Sequence, residues 1–204
     1  MDNMLQKETF EWSNLWWDHA NDASLPRVLL IGDSISVGYS PVVTELLQGK
    51  VHVDRLGTSR STNDPVLAKE TMVMLEEFRY LVIHFNNGLH GWHLPDAAYG
   101  TALCEYTEQL QRLGQGAKLV WASSTPVTVT NKPDTIDEEK NAQLLRRNAR
   151  AAEIMGARGI PIDDLYQAVL AKAELRSPDG YHYNGEGQQV LGKAVAEAIA
   201  KAMG

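Results

Sequence analysis

The sequence holds a single cysteine, Cys104, among 204 residues, so neither an intrachain disulfide nor a cysteine-built zinc site is open to it. Cys104 reads as a small buried hydrophobe on a helix. No apolar run reaches 18 residues, which excludes a membrane-spanning helix. Basic side chains are outnumbered 19 to 26, for a net charge of −7, and a nucleic-acid groove built on clustered Lys and Arg is not expected. A phosphate-cradling loop is missing too, because the stretch from Gly32 to Gly38 has neither G-x-G-x-x-G nor a G-K-[ST] ending. Residues 1–21 have no apolar h-region, interrupted as they are by Asp2, Lys7, Glu8, Glu11 and Asp18; a cytoplasmic location is expected unless a signal peptide has been removed. The chain does have 44% apolar residues, too many for intrinsic disorder, at a length that predicts one domain over residues 1–204.

Leu5, Trp12, Leu15, Trp16 and His19 recur at helical spacing and predict an amphipathic leader helix within residues 1–25, packed on the domain through its tryptophans. Apolar, strand-forming runs occupy residues 27–31, 51–55, 80–85, 118–122 and 159–162, with helical segments between them. Helices are expected from about Pro41, from Pro65, from Pro95, after Asp134, after Asp163 and from about Gly187. The stretch 123–133 reads as a loop. Alternating strands and helices imply a parallel sheet covered on both faces, doubly wound with about five strands. In such sheets ligands bind beyond the carboxyl ends of the strands. Gly32-Asp33-Ser34, Gly57-Thr58-Ser59, Asn86-Asn87 and Ser123-Ser124 each come directly after a strand, so they are expected to share one rim.

A serine hydroxyl becomes a nucleophile when an oriented imidazole takes its proton. Ser34 succeeds an apolar strand on a Gly-containing turn that exposes its Oγ, and Asp179-Gly-Tyr-His182 offers a carboxylate and an imidazole three residues apart. At that spacing Asp179 holds the Nδ1 proton of His182 and leaves Nε2 for Ser34. Acyl transfer also needs donors for the developing oxyanion. The candidates are the backbone N–H groups of Ser34 and of the Gly57–Ser59 loop and the Asn86 side-chain amide, with Asn87 in its place if the strand ends one residue later.

Ile31-Gly-Asp-Ser34, the Gly57 loop, Asn86 and Asp179-x-x-His182, in this order, resemble the motif blocks of the SGNH hydrolases, the GDSL-like esterase and lipase superfamily. The resemblance runs from residue 27 to about 195. It implies a three-layer α/β/α sandwich of flavodoxin-like type, and a serine esterase with Ser34 as nucleophile, His182 as base, Asp179 as its partner, and no cofactor or metal. Two positions depart from the family pattern. His84 and Asn87 stand where the Gly-x-Asn-Asp block has its glycine and its aspartate. Ser59, before Arg60, falls where the family often carries its oxyanion glycine, with Gly57 two residues earlier.

Asp33 is expected to stabilise the turn through backbone hydrogen bonds. With His84, His90, Trp92, His93 and Tyr181 it makes up the candidate substrate pocket; aromatic rings such as Trp92, Tyr181 and Tyr183 stack well on sugar faces. The expected substrate is therefore a small-molecule or carbohydrate ester with a short acyl group. His84, His90, His93 and His182 also raise a metal-assisted phosphoesterase, but no Glu completes an H-E-x-x-H pattern, which counts against it. A sugar- or acyl-binding module without hydrolytic activity is the other rival. Arg146, Arg147 and Arg150 read as a solvated helix face, and Asp163-Asp164 as a helix cap.

Overall fold

The computed structural model describes residues 6–204. Five parallel strands, β2 (Arg27–Gly32), β3 (His52–Thr58), β4 (Val82–Phe85), β5 (Lys118–Ala122) and β8 (Ile162–Asp163), lie in the order β3-β2-β4-β5-β8. Numbered among themselves this is the 2-1-3-4-5 order of flavodoxin-like sheets. All six residues of β2 are buried, as a central strand covered on both faces requires. Their side chains alternate between two cores. Val28 and Leu30 face the layer of α1 (Ser34–Leu46), α5 (Leu165–Val169) and α6 (Gly185–Met203). Leu29 and Ile31 face α2 (Pro65–Glu77), α3 (Asp96–Leu113) and α4 (Glu138–Gly156). The result is the expected three-layer α/β/α sandwich. Among the described residues no helix is long and apolar enough to cross a membrane.

The leader helix is not formed. Residues 1–5, with Leu5, lie outside the described residues. The rest of the leader contributes a strand, β1 (Ser13–Trp16), paired antiparallel with β3 from Ser13↔Thr58 to Trp16↔Arg55. The free edge of β3 needs partners for its backbone N–H and C=O groups, and the leader supplies them. Leu15 and Trp17 pack into the core beneath while Trp16 lies outward over the Arg55 guanidinium. That two-residue alternation was present in the sequence beside the helical one, and tertiary pairing decided between them.

α1 begins at Ser34, not near Pro41, which sits inside the helix. Proline lacks the N–H that would reach the Val37 carbonyl, and the Ser40 hydroxyl donates to that carbonyl instead, at 2.9 Å. The 123–133 stretch also differs from a plain loop. It holds β6 (Thr128–Val129), which pairs with β7 (Lys132–Ile136) as a hairpin, and so α4 is capped by Asp137 rather than Asp134. Asp164 caps α5, but Asp163 turns inward to meet His84.

Beneath the outer edge a buried ion pair ties the leader to the sheet. Arg27 donates to Asp54 at 2.8 Å and to the carbonyls of Asp18 and His19, while Asp54 also accepts from the Asp18 amide and the Tyr80 hydroxyl. Burial pushes the Asp54 carboxyl up despite these donors.

Candidate active site

In a sheet of this order, the chain leaves β2 toward one face and β4 toward the other, and a crevice opens between them at the strand ends. Ser34 stands at that point. Asp33 is the N-cap of α1, and its Oδ1 accepts the Ile35 amide at 2.9 Å while its carbonyl takes the Ser36 hydroxyl. Gly32 is needed for the turn, because a Cβ there would lie 2.7 Å from Ser36 Oγ. Ser34 is thereby held as the first helical residue, where amides have no intrahelical acceptor.

The second support is the loop before α6. Asp179 Oδ1 accepts the backbone N–H groups of Tyr181 and His182, at 2.8 and 2.9 Å. The Ser177 amide donates to the His182 carbonyl at 2.8 Å, and Arg176 bridges to Tyr183 across the loop. The β6–β7 hairpin holds this loop from outside, with the Thr128 amide on the Gly180 carbonyl. Gly180 has φ +92°, and a Cβ on it would meet the Thr128 carbonyl oxygen at 2.4 Å, so glycine is demanded on both counts.

These supports bring the three predicted side chains into line. His182 Nδ1 lies 3.0 Å from Asp179 Oδ2 and His182 Nε2 lies 2.7 Å from Ser34 Oγ. An ionised carboxylate only accepts, so Nδ1 carries the proton and Nε2 accepts from the Ser34 hydroxyl. Burial raises the Asp179 carboxyl, but the two amides and the imidazole outweigh it and bring the group below its ordinary value. Such an arrangement removes a proton from a hydroxyl and later returns it to a leaving group.

The predicted oxyanion donors are distributed differently. Asn86 Nδ2 donates to the Ala122 carbonyl at 2.6 Å and to Ser124 Oγ at 3.1 Å, which uses both of its hydrogens. Asn87 holds Arg60 O and the Thr62 hydroxyl, linking the ends of β3 and β4. The Ser59 amide donates to the Trp12 carbonyl and its hydroxyl to Glu11. Gly57 lies within β3 against α1, where a Cβ would meet Val37 at 2.3 Å. The antiparallel leader strand thus takes up the edge amide that the sequence offered to the oxyanion. Ser34, of the same set, begins α1 at the head of the cleft, where a helix N–H has no intrahelical acceptor.

Ser34 and His182 open into a cleft of about 570 Å³ that Asp33, His90, Trp92 and Tyr181 also line. His93 lines the neighbouring chamber instead. His84 is not a pocket residue: it is fully buried on β4, with Nε2 2.9 Å from Asp163 Oδ2. Its place in a strand buried on both faces prevents it from reaching the rim. Among the described residues no three His, Cys, Asp or Glu side chains are grouped to hold a metal ion.

Glu8, Trp12 and Leu89 also line the cleft, and none was expected there. The first two arrive because the leader runs over the rim rather than coiling beside it. Glu8 Oε1 pairs with His90 Nδ1 at 2.7 Å, and Lys7 pairs with Asp64. Arg147 also departs from its expected place on a solvated helix face, being fully buried. Its guanidinium donates to the carbonyls of Gly88, His90, Gly91 and Leu94 and lies over the Trp92 and Tyr99 rings. One side chain therefore gathers the loop that carries Leu89, His90 and Trp92 into the cleft. No carboxylate neighbours it in the sequence to signal this, because its acceptors are backbone oxygens.

No protein-family model matches the chain, and no curated protein matches it in sequence. Solved structures do match. A GDSL-like lipase from Bacteroides thetaiotaomicron is 16% identical over 86% of this chain and 88% of its own, with a TM-score of 0.64. The aryl esterase of M. smegmatis is 17% identical, covering 86% and 99%, with a TM-score of 0.68. A carbohydrate acetylesterase from Sinorhizobium meliloti is 15% identical with the same coverages and a TM-score of 0.68. Over most of its length this chain shares the α/β/α fold of GDSL-like lipases and esterases.

Proposed function

We propose that the protein is a serine ester hydrolase that removes a short acyl group from an oxygen ester. The observation that carries this reading is the hydrogen-bonded relay Asp179–His182–Ser34 at the mouth of a cleft. Ser34 Oγ attacks the ester carbonyl carbon as its proton passes to His182 Nε2. Charge builds on the carbonyl oxygen, and the Ser34 N–H at the start of α1 donates to it. The imidazolium, held by Asp179, returns the proton to the alcohol oxygen as the C–O bond breaks, leaving an acyl-serine. Water then repeats the sequence: His182 takes its proton, the acyl group leaves as a carboxylic acid, and Ser34 regains its hydrogen.

The shape of the site favours a short acyl group. Behind the Gly32–Ser36 turn there is only a cavity of about 20 Å³, lined in part by Asn86, Ser123 and Thr125, room for a water rather than an alkyl chain. On the alcohol side Trp12, Trp92 and Tyr181 present rings to the cleft, which suits a carbohydrate, and one structural neighbour is a carbohydrate acetylesterase. The test is p-nitrophenyl acetate with Ser34→Ala. Turnover is expected to fall by about 10⁴-fold or more with the circular dichroism unchanged. Turnover within tenfold of the parent protein would remove Ser34 from the mechanism. Undiminished activity in strong chelator is expected, whereas its loss would point to metal-assisted chemistry.

A further inference from the structure

Beside the catalytic cleft lies a second chamber of about 630 Å³, lined in part by Phe10, Glu11 and Ser61. The two spaces meet at Glu8, Trp12 and Trp92, which line both. We propose that this chamber is a subsite for a further sugar ring of an O-acetylated oligosaccharide, so that the protein acts on sugar chains in preference to monosaccharide esters. The proposal rests on the ester-hydrolase reading above and extends it to the alcohol side.

The lining selects the class of occupant. A pyranose ring offers a CH-bearing face and an edge of hydroxyl groups, and needs an aromatic platform beside hydrogen-bonding side chains. Trp12 and Trp92 are rings at the junction, and Phe10 is 82% exposed on the chamber's leader side. Glu8, Glu11 and Ser61 supply polar atoms around them. A long acyl chain would instead desolvate two carboxylates without replacing their hydrogen bonds, which is costly.

The chamber is also built in advance of any ligand. The leader segment that forms one wall is fastened at Lys7 to Asp64, at Glu8 to His90 and at Glu11 to Ser59. Beyond them the Ser59 amide donates to the Trp12 carbonyl and continues the pairing of β1 with β3. A wall held by side chains from the end of β3, the cap of α2 and the 88–94 loop does not have to be ordered when substrate arrives, which lowers the cost of binding.

The experiment compares kcat/KM for O-acetylated xylo-, cello- and chito-tetrasaccharides with the matching acetylated monosaccharides. At least one tetrasaccharide is expected to be preferred by about tenfold or more, and Phe10→Ala to reduce that preference by about fivefold. Trp16→Ala removes an exposed ring of β1 that lines neither chamber and serves as the control, with the preference kept. Preferences within twofold for all three sugars, or an equal effect of the two variants, would overturn the subsite while leaving the esterase reading intact if p-nitrophenyl acetate is still hydrolysed. If no ester at all is hydrolysed, the esterase reading fails and the subsite is judged by calorimetry with the unacetylated tetrasaccharides. Binding that Phe10→Ala weakens would support it, and absence of binding would overturn it.

Discussion

The side chains of Asp179 and His182 are about half exposed, at 49% and 46%, so their alignment cannot come from being packed on all sides. It comes from the two backbone amides on Asp179 Oδ1, which leave Oδ2 facing His182 Nδ1. Replacing Asp179 by Asn puts an amide where the imidazole needs an acceptor and favours the wrong tautomer. We expect kcat for p-nitrophenyl acetate to fall by about 10²–10⁴-fold with KM little changed; an unchanged kcat would show that His182 needs no partner. The pH dependence has its origin in the same contacts. Asp179 is held below its ordinary value, so its charge and the stability it confers are complete above the unfolded carboxylate value and are lost only as pH falls through the lower folded one. Between pH 5 and 8 the carboxyl keeps its charge, so no loss of kcat/KM in that range comes from Asp179. An acid limb of unit slope is expected there, and a slope of two would show that Asp179 loses its charge as well.

At the scale of elements, two parts of the chain keep the cleft in shape: the β6–β7 hairpin behind the Asp179–His182 loop, and α4, whose Arg147 gathers the 88–94 loop. Gly180→Ala tests the first. A side chain at φ +92°, aimed at the Thr128 carbonyl, has to push the loop away from the hairpin. Stability is expected to drop by about 1–3 kcal/mol, read by chemical denaturation, with a further loss of kcat as His182 leaves Ser34. Parent-like kcat would show that the hairpin does not position the loop. The hydrogen-bonded trio proposed to be catalytic is legible in the sequence because each part sits in a local motif: Ser34 on a strand-turn-helix, Asp179 and His182 three residues apart. The hairpin is not, since Ser, Thr and Pro in 123–133 mark a turn without saying what it leans on. Arg147 was missed for a similar reason, as nothing within α4 distinguishes an arginine facing carbonyls from one facing water.

Across the whole molecule, the alternation of apolar runs and helices was enough to fix the layering, because parallel strands need crossovers and crossovers cover both faces. It could not place the leader. A segment that carries both helical and two-residue periodicity adopts whichever conformation finds partners, and the unpaired edge of β3 is a long-range fact. That choice has consequences for the site: as a strand, the leader occupies the Ser59 amide and carries Glu8 and Trp12 over the cleft. Its return to the sheet depends on the buried Arg27–Asp54 pair, which also binds the Asp18 and His19 backbone. Asp54→Ala leaves the Arg27 guanidinium buried without its counter-charge, and a loss of about 3–5 kcal/mol is expected in denaturant titrations. A loss below 1 kcal/mol would mean that the carbonyls alone suffice.

The central claim, that Ser34 is a nucleophile activated by His182, is tested most directly by a fluorophosphonate with intact-mass and peptide mass spectrometry as the readout. Attack by Ser34 Oγ expels fluoride and leaves one phosphonyl group. The account predicts a single adduct, on Ser34, absent in Ser34→Ala and formed far more slowly in His182→Ala. An adduct on another residue, or labelling of Ser34 at the same rate without the imidazole, would contradict it.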